Sequence, residues 1–101
     1  IGGGNAAIDV SRAAMRLGNR KVSLYCLEKD EEMPTVPEEK NAGIDDGVIY
    51  NNSWAPKRIL GENGKVTGVE FMRCVSVRNA EGKFAPVYDE SETITVADLG
   101  L

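Results

Sequence analysis

The sequence has 101 residues, which is enough for one domain with one modest hydrophobic core. It contains no histidine, so the commonest general base and the commonest metal ligand are both absent. The net charge of -4 disfavours binding to a nucleic acid, and no stretch approaches the roughly 20 apolar residues of a membrane span. With no charged leader before an apolar run, secretion has no support, and we expect a cytoplasmic protein.

The first half of the chain predicts helices that alternate with short strands. A helix is expected from Asn5 to Leu17, with Gly18 as its C-cap, and a buried parallel strand is expected from Lys21 to Leu27. After a charged, proline-flanked segment from Glu28 to Pro37, the pattern predicts a weaker helix from Pro37 to Asp45 and a strand from Val48 to Asn51. The buried face of the first helix is predicted to carry Ala6, Val10, Ala13 and Leu17. Its solvent-exposed face is predicted to carry Asp9, Ser11, Arg12 and Arg16.

The second half predicts an antiparallel β-meander. Two β-rich runs flank Glu62-Asn63-Gly64, and Asn-Gly is a strong hairpin signal. A second turn is expected from Asn79 to Gly82. The predicted strands are Arg58 to Leu60, Lys65 to Val77, Phe84 to Tyr88 and Thr93 to Val96, followed by an apolar stretch that runs to Leu101.

The glycines at the start of the chain predict a phosphate-binding turn. Gly2-x-Gly4-x-x-Ala7 has the spacing of the dinucleotide fingerprint in its alanine-ended form. Gly2 would permit the tight turn, Gly4 would let a pyrophosphate approach the backbone, and Ala7 would let the helix pack closely. Because such a turn normally follows a strand, of which only Ile1 could remain, we expect a domain of residues 1–101 cut from a larger protein, without most of its first strand.

Glu28 directly follows the predicted strand from Lys21 to Leu27, roughly 20 residues after Ala7. An acid at this position accepts hydrogen bonds from the adenosine ribose hydroxyls and repels a 2′-phosphate. The sequence therefore predicts a preference for NAD(H) over NADP(H). Two alternatives stay open, because Glu28 is part of a charged run and the adjacent cation of Lys29 could serve a 2′-phosphate instead.

Taken together, these segments resemble the NAD(P)-binding domain of FAD-dependent pyridine nucleotide oxidoreductases of the glutamate synthase small (beta) subunit type. The resemblance covers nearly the whole chain. Where members that use NADPH usually have two arginines, this chain has Leu27 and Glu28. The residues that carry the resemblance are Ile1-Gly-Gly-Gly-Asn-Ala-Ala-Ile-Asp9, Glu31-Glu-Met-Pro34, Asn52-Ser-Trp-Ala-Pro-Lys57, Gly64-Lys-Val-Thr-Gly-Val-Glu-Phe71 and Ala97-Asp-Leu99.

The resemblance implies an α/β fold, with a Rossmann-like parallel sheet and helices plus the antiparallel β-meander. It implies that NAD(P)H is presented for hydride transfer to FAD on another domain of the parent chain, with iron–sulfur clusters and a partner subunit beyond; with the preference indicated by Glu28, we expect the bound form to be NAD(H). The cofactors carry the chemistry, so we expect no catalytic residue and no metal site in this chain, and no activity of the chain alone. The residues expected along the pyrophosphate are Gly2, Gly3, Gly4, Asn5, Ala6 and Ala7.

Three further questions follow from individual residues. Asp9, expected in the first helical turn, would either interact with the helix dipole or approach the nicotinamide. Trp54 would either line the adenine side of the site or be structural. Cys26 and Cys74 have neither redox nor zinc spacing, so we expect reduced thiols and exclude a thiol–disulfide enzyme.

A non-catalytic module with the same fold remains an alternative to the oxidoreductase domain.

Overall fold

The computed structural model describes residues 1–18 and 21–97 and divides into two compact units, one from Ile1 to Ser53 and one that begins at Trp54. The first unit contains the helices and a parallel sheet, and the second contains an antiparallel sheet. Within the described ranges, no helix combines the length and the apolarity needed to cross a membrane.

The first unit is built from two helices and two short parallel strands. Strands β1 and β2 are hydrogen-bonded in parallel, with Ser23 opposite Ile49, and α2 lies in the connection between them. This is the strand–helix–strand order that the sequence predicts. The elements are helix α1 (Asn5–Arg16), strand β1 (Ser23–Tyr25), a 3₁₀ turn (Asp30–Glu32), helix α2 (Pro37–Asp45) and strand β2 (Ile49–Asn51).

The buried face of α1 differs from the predicted one. The side chains that turn inward are those of Ile8 and Ser11, and Ser11 Oγ satisfies its hydrogen-bonding capacity by donating to the Ala7 carbonyl at 2.8 Å. By contrast, Val10 is 71% exposed and Leu17 is 85% exposed. At 100° per residue the two sets lie on opposite sides of the helix, and both sides carry apolar residues, so periodicity alone selected the wrong face. The predicted apolar positions Ala6, Val10, Ala13 and Leu17 are all exposed.

The core of the first unit lies between α1 and the parallel strands. Leu24 of β1 packs there against Ile8 of α1. This core positions the start of α1 directly beside the carboxyl end of β1, where the predicted site residues lie. Its buried members are Ile8, Leu24, Cys26, Met33 and Val48, with Ala7, Met15 and Tyr50 packed against them.

Helix α2 has the predicted bounds, and the structure explains why it contains Gly43. The Tyr50 hydroxyl donates to the Lys40 carbonyl at 2.8 Å, which brings the tyrosine against the backbone of α2. A Cβ atom at Gly43 would overlap that hydroxyl and would lie 3.2 Å from Tyr50 Cζ. Gly43 therefore permits a close helix–strand contact, although glycine weakens a helix by itself.

The second unit is a three-stranded antiparallel sheet in the order β3-β4-β5. Its strands are β3 (Trp54–Glu62), β4 (Lys65–Arg78) and β5 (Phe84–Ala97). The Asn-Gly hairpin prediction is confirmed, because Asn63 and Gly64 connect β3 to β4 with φ angles of 53° and 77°.

The prediction of two separate strands after Gly82 is wrong, because β5 is continuous from Phe84 to Ala97. Its pairing with β4 is irregular: Arg73 lies opposite Asp89 while Met72 lies opposite Thr93. Residues 90–92, all polar, lie between these two paired positions and form a bulge, but β5 continues through them. The polarity of this segment therefore indicates a bulge and not the end of a strand. The apolar stretch predicted to run to Leu101 lies beyond Ala97, outside the described residues.

Candidate functional site

The glycine turn lies beside the carboxyl end of β1. The Gly2 N–H donates to the Tyr25 carbonyl at 2.8 Å, so the turn continues along the edge of β1 that does not face β2. Gly2 has a φ of 141°, a conformation that favours glycine. A Cβ on Gly2 would lie 3.3 Å from the Ala7 Cβ, so the small side chain of Ala7 allows α1 to start close to the turn.

Gly3 brings the turn into contact with Glu28. Gly3 is buried, and a Cβ added to it would lie 2.8 Å from Glu28 Oε1 and 3.2 Å from Cys26 Cβ. The carboxylate of the half-buried Glu28 therefore lies against the backbone of the glycine turn. No steric role was predicted for Gly3, because the fingerprint accepts any residue at this position.

The backbone of Glu28 is fixed by groups from the end of β2. Its carbonyl accepts hydrogen bonds from the Ser53 N–H at 3.1 Å and from Asn52 Nδ2 at 3.2 Å. The Cys26 thiol also donates to this carbonyl, at 3.7 Å, and accepts from Asn52 Nδ2 at 3.4 Å. Burial, with a smaller effect of the Glu28 charge, raises the pKa of the Cys26 thiol to about 11. Cys26 is thus a neutral, buried support at neutral pH.

The start of α1 faces the loop that precedes α2. Gly4 is the N-cap residue, and no side chain in the described ranges caps the first turn of α1. The Asn5 Oδ1 accepts hydrogen bonds from Thr35 Oγ1 and from the Val36 N–H, the latter at 3.4 Å. A Cβ on Gly4 would lie 3.9 Å from the Pro34 carbonyl oxygen, an ordinary contact distance, so a small side chain would fit there. The link from Asn5 to Thr35 has no signature in the sequence.

The remaining predicted site residues are dispersed. Asp9 is the fifth residue of α1, so the prediction that it lies in the first helical turn is wrong, and its side chain is exposed. Lys29 is exposed as well, and its backbone N–H donates to Glu32 Oε1 at 3.3 Å. Ala6 is exposed and lines an open cavity of about 490 Å³, together with Ile1, Gly4, Ala7, Val10, Ser11 and Leu24.

Trp54 belongs to the second unit, where the Arg73 guanidinium lies 3.9 Å from the centroid of its ring. Arg73 also forms an ion pair with Glu92 on β5 at 3.1 Å. These contacts are of the cation–π and ion-pair type and lie within the antiparallel sheet.

Cys26 and Cys74 are both buried, and neither forms a disulfide bond within the described residues. Across residues 1–18 and 21–97, no cluster of histidine, cysteine and acidic side chains is arranged to hold a metal ion. The grouping that the structure does provide is a glycine turn, an uncapped helix start and one carboxylate. Such a grouping can bind and orient a phosphate-containing ligand with hydroxyl groups.

Several curated proteins are similar in sequence to this chain. The NADP(+)-dependent formate dehydrogenase subunit beta of Moorella thermoacetica is 36% identical over 81 residues, which are 80% of this chain and 11% of that protein. The NADPH-Fe(3+) oxidoreductase subunit beta of Geobacter sulfurreducens is 36% identical over 88 residues, covering 85% of this chain and 13% of that protein. The glutamate synthase [NADPH] small chain of Escherichia coli is 32% identical over 101 residues, covering 97% and 21%. No family model matches the chain.

These comparisons relate the chain to a segment of NAD(P)H-dependent oxidoreductase subunits. The chain spans only about a tenth to a fifth of the length of these relatives. Their names specify NADP(H), whereas Glu28 led to a prediction of NAD(H).

Proposed function

We propose that this chain is a Rossmann-like dinucleotide-binding domain that binds NAD(H), with Glu28 accepting hydrogen bonds from the adenosine ribose hydroxyls. The observation that carries the proposal is the contact between Glu28 and the glycine turn. In a dinucleotide site the pyrophosphate lies over the glycines. The adenosine ribose lies at the end of the strand that follows the first helix, which is β1 in this chain. The Glu28 carboxylate lies against Gly3 of the glycine turn, and Glu28 itself follows β1.

The glycine turn and α1 would hold the pyrophosphate. The first N–H groups of a helix have no partners within the helix, and the helix dipole favours an anion there. Because Gly4 has no Cβ, a phosphate would approach its backbone closely. Gly2, Ala6 and Ala7 belong to the same segment, and Asn5 is held by Thr35 at its edge. This use of backbone groups is compatible with the acidic net charge of the chain.

The chain would bind and orient the cofactor, and the cofactor would supply the redox chemistry. We propose that the bound nicotinamide donates hydride to FAD carried by another part of a larger oxidoreductase, with iron–sulfur clusters and a partner subunit further along. The support for this step is the resemblance to the glutamate synthase small subunit type and the greater length of the relatives. Asp9 on α1 would be the residue of this chain nearest to the nicotinamide.

Calorimetric titration of the 101-residue chain with NADH and with NADPH tests the proposal. We expect saturable binding with tighter binding of NADH. Glu28→Gln should weaken NADH binding by about ten- to a hundredfold, because a hydrogen bond to a charged acceptor contributes roughly 1.5–3 kcal/mol. Glu31→Gln is the matched control, because Glu31 is exposed and the substitution changes the net charge equally. Gly4→Ala should also weaken binding while leaving the fold intact.

The outcomes separate the alternatives. If a folded chain binds neither nucleotide, the proposal fails for this chain, and repeating the titration with the first strand restored separates a non-catalytic module from a site that needs that strand. Equal effects of Glu28→Gln and Glu31→Gln on NADH affinity would show that the loss is not specific to Glu28 and would remove Glu28 from the site.

A second candidate is NADPH binding by the same turn, and the names of the relatives favour it. The exposed Lys29 would then pair with the 2′-phosphate. This version predicts tighter binding of NADPH, weakened by Lys29→Gln and strengthened by Glu28→Gln. The same titrations therefore distinguish the two cofactors directly.

A further inference from the structure

We infer that Asn52 is a positioning residue for the cofactor site, because it holds the Glu28 backbone and so keeps the Glu28 carboxylate against the glycine turn. The inference rests on the proposed role of Glu28 in dinucleotide binding. Asn52 follows β2 and comes from a different part of the chain than the glycine turn.

One side-chain amide joins the buried core to the Glu28 backbone. The Asn52 Nδ2 lies 3.2 Å from the Glu28 carbonyl oxygen and 3.4 Å from Cys26 Sγ. An amide NH2 group has two hydrogens, so it can donate to both acceptors at once. Cys26 is only 2% exposed, which makes it a fixed point for this bridge.

The residue after Asn52 acts on the same carbonyl. The Ser53 N–H donates to Glu28 O at 3.1 Å, and Ser53 has a φ of 65°, in the left-handed region. The Asn52–Ser53 segment therefore directs a side-chain donor and a backbone donor at one oxygen. A residue held in this uncommon conformation persists only where the surrounding structure supports it, and the bonds to Glu28 provide that support.

The position of the Glu28 carboxylate depends on this backbone contact. The Glu28 Oε1 lies 2.8 Å from the site that a Gly3 Cβ would occupy, so the side chain fits into a narrow space beside the turn. A ribose-binding carboxylate must be placed to a fraction of an ångström if its hydrogen bonds are to form. A shift of the Glu28 backbone would therefore weaken binding even though Asn52 makes no contact with the ligand.

The preceding residue provides a matched control. The Asn51 Nδ2 donates to the Leu24 carbonyl at 3.3 Å, so it also links the end of β2 to the region of β1. Asn51 is the same residue type in the adjacent position, but its acceptors are the carbonyls of Leu24 and Ile49 and not that of Glu28. A general effect of losing an amide-to-carbonyl bond would appear in both alanine variants.

The test is a double-mutant cycle on NADH affinity with Asn52→Ala and Glu28→Gln in the 101-residue chain. We expect Asn52→Ala to raise the Kd for NADH about fivefold in the wild-type background. In the Glu28→Gln background the same change should raise the Kd by less than about twofold, since the carboxylate it positions is absent. Asn51→Ala should change the Kd by less than about twofold. A purely structural role of Asn52 would produce equal effects in both backgrounds and overturn the inference.

Further outcomes separate this inference from the proposed function. If Glu28→Gln weakens NADH binding and Asn52→Ala does not, only the role of Asn52 is refuted. If the folded wild-type chain does not bind NADH, or if Glu28→Gln leaves its affinity unchanged, both fail.

A measurement on wild-type protein covers the case in which Asn52→Ala does not fold. In a ¹H–¹⁵N spectrum, NADH should shift the side-chain NH2 signals of Asn52 more than those of Asn51. Glu28→Gln should abolish the difference. Equal shifts of both amides, or a difference that persists without the carboxylate, would overturn the inference.

Discussion

Replacing Gly43 by alanine tests the packing of α2 on β2. In an isolated helix the substitution would stabilise by about 1 kcal/mol. In this fold the new Cβ would overlap the Tyr50 hydroxyl and lie 3.4 Å from Ile8 Cγ2, so Tyr50 must move and its bond to Lys40 O would be lost. Overpacking costs about 1–3 kcal/mol and the hydrogen bond contributes about 1 kcal/mol. We therefore expect a net loss of about 1–3 kcal/mol in the free energy of unfolding.

The Tyr50→Phe background isolates the steric cause. Without the hydroxyl, the nearest ring atom to the Gly43 Cβ position is Cζ at 3.2 Å, which requires only a small adjustment. In that background Gly43→Ala should change stability by less than about 1 kcal/mol. Urea unfolding followed by circular dichroism at 222 nm measures this, because both described helices belong to the first unit. Equal destabilisation in both backgrounds, or stabilisation of the wild-type background, would refute the packing argument.

Two further predictions concern ionisable groups. With a pKa of about 11, the Cys26 thiol should react with iodoacetamide at pH 8 at least about 100-fold more slowly in the folded chain than in urea, as measured by mass spectrometry. Because folding raises this pKa, the stability that the neutral thiol contributes is present below pH 9.0 and is lost as the pH rises toward about 11. In Cys26→Ala this part of the decrease in stability at high pH should be absent. The hydrogen bond from Arg12 Nε to Asp46, at 2.8 Å, lowers the pKa of Asp46, so its contribution is present above the ordinary value of 3.8 and is lost as the pH falls further. The difference in melting temperature between wild type and Asp46→Asn should therefore shrink between pH 7 and about pH 3, and a constant difference would contradict the assignment.

Local signals in the sequence predicted the elements well. Proline at the first turn and acidic residues after it defined α2, and the Asn63-Gly64 pair defined the β3–β4 hairpin. Both signals are intrinsic to the backbone conformation of the residues that carry them. The burial of Ile8 and the exposure of Val10 could not be predicted in this way, because α1 has apolar residues on opposite sides and tertiary packing selects between them.

The site was predictable only in part for a related reason. The spacing of the glycines and the position of Glu28 follow from the strand–helix–strand order, and the structure brings Gly3 and Glu28 together. The bridge from Asn52 to Glu28 and Cys26 joins residues 24 and 26 positions apart, through a side chain that has no fixed motif. Contacts of this kind depend on where two chain segments meet, which composition and periodicity do not specify.

The irregular pairing of β5 has a consequence for the solubility of the second unit. Within its sheet β5 is an edge strand, and a regular edge presents unpaired backbone groups to which another chain can add. The register shift opposite Met72 and Arg73 breaks this regularity in the middle of the strand. The same stretch carries Asp89, Glu90 and Glu92, whose charges would repel an identical strand. The polar, irregularly paired segment that led to the prediction of two strands therefore disfavours the addition of another chain to this edge of the sheet.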